Sequence, residues 1–459
     1  MREDQKKNWV LIGVGIASFL GCLDFTIVNT AIPAIQVSLS ASINKLQWII
    51  NIFMLSLSAT MVVMGKLSDI YGRKKLLYIG MISFTIASFF AGLSRTIDVL
   101  IFWRLIQGLS CAIIYTSSGA IVSNAFPLEE RPRAMGIFFG IAFAGLAAGP
   151  AIGGLLVGLF GWRSVFLVNV PIAIISLFIC SFCISESKNN LETDTVDYIG
   201  ALILIIAISA LVLMLTKSAI WGLNSVKTIG FAITTLIMFF ILYKFENTKN
   251  SPIIDFKLFA NSSFLSGVSA NFFLAFFYCL DLFLIPLFLH LIRHETAFVI
   301  GFMLLSITFF VAITPPLISK LLERKSSYYP CLIGFALFAT SAILQTTLSA
   351  NSSVVTILIT FMLTGIAWGS ISSPSTVLAM DGLPSSAEGV AMGTSWTLHN
   401  LGGIIGLSLG VAVYHFEVGT HSNSFLAGYH STMYLLLLTS ISAFIFLLIN
   451  FKRSRKLLI

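Results

Sequence analysis

Apolar runs alternate with short polar connections along the whole chain. About 20 apolar residues are enough to cross a bilayer as a helix. Fourteen segments meet or approach that length, at 9–34, 47–66, 76–94, 98–123, 134–158, 163–184, 197–216, 226–244, 264–289, 296–318, 328–348, 353–374, 388–413 and 431–451. Each predicts a membrane-crossing helix. The longest polar connections are 185–197, 243–263, 374–387 and 415–430, and the first two bracket the seventh and eighth segments. Without that pair the count is twelve. The pattern divides the chain into six helices over 1–190, two linker helices and a loop over 191–260, and six helices over 261–459.

A faint internal echo supports the division. Asp24 lies in the first segment with Pro33 after it, and Asp281 lies in the ninth followed by Pro286. The connection GKLSDIYGRKK (65–75) is matched in position by ISKLLERKS (318–326). Two six-helix halves related by repetition are how many secondary transporters are built, with a site between them near mid-membrane.

Composition strengthens the membrane reading. The chain is 57% hydrophobic and 10% charged, against roughly 25% charged residues in soluble domains. No polar stretch is long enough to fold as a separate soluble domain. The charged start, MREDQKKN, precedes an apolar run too long for a signal peptide, so the first helix is expected to be retained. The net charge of +8 comes from short loops and the tail and does not suggest nucleic-acid binding. With a cytoplasmic N terminus, most of the 27 Lys and Arg residues fall on the inner side. Outside remain Lys45, Arg95, Arg163, Lys217, Lys227 and Arg293, while Arg104 lies within a helix. By the positive-inside rule both termini are cytoplasmic. The six cysteines lie in or beside apolar runs, and neither disulfides nor a metal site is expected, even at Cys180-x-x-Cys183.

Charges inside the spans are the candidate chemistry, since they are expensive there and face protein or a water-filled cavity. Asp24 lies ~13 Å below the outer surface, counted from Pro33, and Arg104 lies ~8–10 Å below it. The two can pair, either as a proton switch or as a static pin between the first and fourth helices. Asp281, ~12 Å deep, can carry a second proton or face a cationic substrate. His399 in the thirteenth segment is either a hydrogen-bonded packing residue or a proton carrier. Gly65, Asp69, Gly72, Arg73 and Lys74 form a tight turn that is either a gating latch or a plain positive-inside connection. Gly145, Gly149 and Gly153, spaced by four, line one face of the fifth helix beside Pro150 and Gly154. They make it either a hinge or a tight packing face.

These strings together resemble the major facilitator superfamily. GKLSDIYGRKK is similar to its loop 2–3 signature, RLIQG (104–108) to its helix 4 motif, and GLAAGPAIGG (145–154) to its antiporter motif. LDFTIVNTAIP (23–33) resembles the first-helix motif of the fourteen-helix drug/proton antiporter branch. The resemblance implies an all-α integral membrane fold, with two six-helix bundles plus two extra central helices. It implies multidrug efflux from the cytoplasm across a bacterial inner (plasma) membrane, by alternating access and proton antiport. Asp24 and Arg104 would be the coupling pair, Asp69 and Arg73 the latch, and Gly149 and Pro150 the hinge. Two departures are the missing glycines in the loop after the tenth segment and His399, where relatives often carry Arg.

The expected function is therefore a proton-coupled exporter of amphipathic small molecules such as drugs and dyes, a route to antibiotic resistance. A dedicated exporter of one endogenous metabolite, such as a siderophore, is the alternative. No cofactor is expected beyond the proton gradient. The expected partners are substrate, protons and lipid, with a periplasmic adaptor left open. No catalytic triad, metal-ligand cluster or phosphate loop is seen, so the chain does not read as an enzyme.

Overall fold

The computed structural model describes residues 3–127, 130–186, 197–222, 224–249, 252, 254, 256–322, 326–381, 383, 388–419 and 424–457. These are mostly helical, with no β-strand among them. The first set comprises α1 (Glu3–Ser38), α2 (Ile43–Tyr71), α3 (Arg73–Gly92), α4 (Ile97–Ala125), α5 (Arg131–Phe160), α6 (Ser164–Leu167) and α7 (Asn169–Cys183). Next come α8 (Tyr198–Trp221), α9 (Val226–Glu246) and a 3-10 turn at Phe256–Ala260. The last set is α10 (Ser262–Leu291), α11 (Ala297–Leu322), α12 (Tyr328–Thr346), α13 (Val354–Met380), α14 (Glu388–Glu417) and α15 (Phe425–Leu457).

All fourteen expected segments overlie helix. Among the described residues, 12 helical stretches are long and apolar enough to span a membrane. The two segments outside that set are α2, 29 residues long, and the shorter apolar run Ile199–Leu215 of α8. The sixth segment is split into α6 and α7. Pro171 has no N–H for the Leu167 carbonyl, so the helical ladder is interrupted there and Asn169 opens a new helix. Local chemistry starts other helices. Thr96, Ser225, Asn261 and Ser353 each accept a backbone N–H at the first turn of α4, α9, α10 and α13.

Contacts divide the chain into two compact units. Unit 1 is Met1–Tyr198 with Thr296–Leu305, and unit 2 is Ile199–Glu295 with Ser306–Ile459. In unit 1, α1 packs along α5, and α4 packs on α2 and α3. In unit 2, α10 packs along α14 and α13, and α12 packs on α13 and α15. α10 is buried along almost its whole length, from Phe264 to Leu289. α1 does not stop at Pro33 but continues to Ser38. A Pro in a helix removes one hydrogen bond and need not end the helix when neighbouring helices hold both sides.

Candidate functional site

Asp24 is fully enclosed in unit 1, and Arg104 is 1% exposed. Nη1 of Arg104 donates to Oδ2 of Asp24, so the expected pair is formed. The pairing draws in other helices. Gln107 Nε2 donates to Asp24 Oδ1 at 3.3 Å and to the Ser88 hydroxyl of α3 at 2.8 Å. Its Oε1 accepts from Arg104 Nη1 at 3.1 Å. Asn169, the first residue of α7, donates to Asp24 Oδ1 at 2.8 Å. The guanidinium is further held by the Ile49 carbonyl of α2, 3.0 Å from Nε, and by the Phe53 ring, 4.2 Å from Cζ. Five helices thus meet at one charge pair. A buried pair is tolerable when the remaining hydrogen-bonding capacity of both ions is satisfied, and here most of it is. Asn169 and Ser88 escaped the sequence reading, because a lone Asn or Ser in an apolar run has no periodic signature. The Pro-linked break at α7 was the available clue to Asn169.

The glycines of α5 are positions of close approach to α1. A Cβ at Gly145 would run into the Phe19 carbonyl of α1, one at Gly149 into Thr26 Oγ1, and one at Gly153 into Thr30 Oγ1. Gly154 faces another way. Its missing Cβ makes room for Ala297 O and Gly301 Cα, both at 2.8 Å and within unit 1. Unit 2 has a second seam of the same kind. At Gly402, Gly406 and Gly410 of α14, a Cβ would meet Phe272 O, Phe276 O and Leu280 of α10. The spacing by four is visible in the sequence.

In the 65–75 turn, Gly72 has φ 108°, a backbone that glycine alone adopts readily, and it precedes α3 as its N-cap. The first turn of α3 carries Arg73, Lys74 and Lys75, the unfavoured sign for a helix N terminus. Glu186, absent from the sequence reading, offsets them. Its carboxylate accepts the backbone N–H groups of Lys74 and Lys75 at 3.0 and 3.1 Å. The space a Gly72 Cβ would need is taken by the same carboxylate, 2.7 Å away. Lys74 Nζ donates to the Ile184 carbonyl at 2.7 Å, and the buried Arg73 donates to the Ala120 carbonyl of α4 at 3.4 Å. A Cβ at Gly65 would sit 3.7 Å from the Thr116 side chain, an ordinary contact. The Asp69 side chain lies outside the described residues, as does much of 318–326.

Asp281 is completely buried in unit 2. Among the described residues neither carboxylate oxygen has a well-formed hydrogen bond, and the side chains acting on it are Gln345 and Thr364. His399 belongs to a different cluster. Its Nδ1 lies 3.1 Å from the Asn271 carbonyl, which can only accept, so Nδ1 carries the hydrogen and Nε2 accepts from Tyr278 Oη at 3.0 Å. Tyr278 stacks on Trp368 at 4.0 Å, and Trp396 meets the His399 ring edge-on. Asn271 also bonds Ser375 and Ser395, tying α10 to α13 and α14. Asp281 and His399 are therefore not partners.

Comparison with known proteins shows the family of the chain. The Major Facilitator Superfamily profile matches residues 14–407. "Multidrug resistance protein Stp" of Mycobacterium tuberculosis (strain CDC 1551 / Oshkosh) is 33% identical over 87% of this chain and 74% of its own length. The "Tetracenomycin C resistance and export protein" of Streptomyces glaucescens is 29% identical over 88% of this chain and 74% of its own. "Riboflavin transporter RibZ" of Clostridioides difficile (strain 630) is 28% identical over 87% of both. A crystal structure of the peptide transporter POT shares the fold, with a TM-score of 0.68 at 13% identity over 96% of this chain and 97% of that one. The chain belongs to the Major Facilitator Superfamily and is a multi-pass membrane transporter, not an enzyme.

Proposed function

We propose that the protein is a proton-coupled antiporter that exports amphipathic small molecules from the cytoplasm of a bacterial cell by alternating access. It would sit in the plasma membrane with both termini inside. The observation that carries the reading is the sealed Asp24–Arg104 pair, to which Gln107 and Asn169 bind, with Ser88 accepting from Gln107. A proton on Asp24 removes the charge that Arg104 answers. Arg104 keeps the Ile49 carbonyl, Gln107 and the Phe53 ring, while Asp24 loses its ionic hold on α4 and keeps the Gln107 amide. The junction of α1, α4 and α7 then has two arrangements, one favoured by the proton and the other by substrate. Antiport requires the two ligands to bias one equilibrium in opposite directions. The glycine seam of α5 against α1 suits a helix that shifts along its neighbour, and the α3 turn with Arg73 and Lys74 suits a cytoplasmic latch in which Asp69 takes part.

The names of the relatives support export of foreign compounds over transport of one metabolite, although a riboflavin transporter among them keeps a single-substrate reading in view. Proteoliposomes with an imposed pH gradient test both. Ethidium should move against the proton gradient in the wild type, with proton flux that appears only when dye is present. In folded Asp24→Asn that dye-dependent proton flux should fall to background. Unchanged proton flux in the variant would remove Asp24 from coupling. Counterflow of riboflavin without ethidium transport would favour the single-substrate reading.

A further inference from the structure

One spacing in the chain separates several residues of unit 1 from residues of unit 2. It takes Asp24 to Asp281, Ser88 to Gln345, Arg104 to Phe361, Gln107 to Thr364 and Gly108 to Gly365. The partners recur with the spacing. Gln107 and Ser88 bind each other and Gln107 binds Asp24; Thr364 and Gln345 both act on Asp281. Gly108 admits the Phe53 carbonyl of α2, and Gly365 admits the Ile307 carbonyl of α11. The sixth spanning helix of each set completes the site, through Asn169 on Asp24 and through Tyr429, whose hydroxyl donates to Gln345 Oε1 at 2.5 Å. The carboxyl and its neutral neighbours are thus repeated, and the cation is not. Where unit 1 places Arg104, unit 2 places Phe361, itself fully buried.

We infer that Asp281 is a second proton-binding site, in which a proton takes the place that the Arg104 guanidinium holds beside Asp24, and that this proton joins the exchange in each transport cycle. The second half of the inference rests on the proton-coupled reading above; the first half does not. An ionised carboxylate with no counter-charge in apolar surroundings is strongly disfavoured and in practice takes up a proton. No Lys or Arg lies in α12 or α13, which supply Gln345 and Thr364. Of the titratable groups on packed helices, α15 presents Tyr429, and α14 presents His399, which is engaged with Asn271 and Tyr278.

Access selects the ligand. On the Asp281 face of α10, residues one turn before and two turns after are Phe277 and Phe288. Phe277 stacks on Phe338 of α12 at 4.0 Å, and Phe288 stacks on Tyr429 of α15 at 4.8 Å. Between two such stacks, with Asp281 wholly enclosed, a proton fits and an organic cation does not. Binding forms one O–H bond on a carboxylate oxygen, with Gln345, Thr364 and Ser341 as the polar surroundings; Ser341 Oγ lies 2.7 Å from Thr364 Oγ1. Release returns the proton to water and leaves the carboxylate, so no other reactant is needed.

Infrared difference spectroscopy on the full-length protein in lipid nanodiscs reads the proton directly. At neutral pH, wild type minus Asp281→Asn should show the C=O stretch of a protonated carboxylic acid, and Asp24→Asn should retain it. Asp281→Glu keeps a carboxyl and should displace the band, which serves if Asp281→Asn does not fold. A spectrum without the band overturns the inference, as does a band that disappears when sodium chloride replaces choline chloride, which would mark a sodium site. In proteoliposomes, the ethidium gradient sustained by Asp281→Asn should be lower by about tenfold per unit of imposed pH difference, the signature of one proton fewer. An unchanged gradient overturns participation in the cycle. Absence of proton flux in the wild type would sink the proton-coupled reading and leave the infrared result standing.

Discussion

Asp24 and Arg104 carry opposite charges where neither can be hydrated. Removing one partner of such a pair strands the other, at a cost of about 3–5 kcal/mol, whereas removing both can be nearly neutral. Arg104→Met should therefore lower thermal stability in detergent more than Arg104→Met combined with Asp24→Leu. The cycle of single and double variants should return a coupling well above the ~0.5 kcal/mol expected of independent sites. Additive losses would mean that the pair does not matter for folding. At this scale the sequence was partly legible. Two charges in apolar runs at similar depth announce themselves, because insertion tolerates few of them. Ser88, Asn169 and Glu186 do not, because a neutral polar residue or a loop carboxylate is common, and only the fold shows which one reaches the site.

Two helix pairs are built on the same device, three glycines at a spacing of four pressed onto the backbone and side chains of a neighbouring helix. The lost side chains bring helices close enough for dispersion contacts and carbonyl approaches that a larger residue would block. Gly149→Ala should cost ~1–3 kcal/mol or more, the range for overpacking, because its Cβ meets Thr26. Gly140→Ala on the same helix has nothing within 4 Å of its Cβ and should be silent. Melting temperature and transport rate of the two variants check this, and equal effects would show that the seam is not tightly packed. The seam of α5 was readable because Pro150 drew attention to its glycines. The α14 seam has the same spacing and went unread for want of such a marker. Helix ends were less legible than helices. Pro33 suggested an end where α1 runs on to Ser38, since tertiary packing overrides the local preference of proline.

Among the described residues, hydropathy was enough to place helix under all fourteen segments, because a bilayer demands long apolar runs whatever their role. The echo of Asp24 in Asp281 was also visible. What could not be seen was the echo's extent, because residues of different chemistry occupy matched places: Ser88 with Gln345, Gln107 with Thr364 and, above all, Arg104 with Phe361. Similarity of side chains is what the eye follows along a sequence. Similarity of position needs the helices to be assembled first.

That matched register also permits an isomer of the protein. Exchanging the two unlike residues, Arg104→Phe with Phe361→Arg, leaves length, composition and net charge unaltered and moves one guanidinium from the first bundle to the second. In the isomer Asp281 gains an ionic neighbour and Asp24 loses one. Infrared spectra should then show the protonated carboxyl band dependent on Asp24 and no longer on Asp281. A band that stays with Asp281 would mean that the two environments differ by more than their cation. Because both molecules have the same composition, any difference between them reports where the guanidinium and the phenyl ring reside.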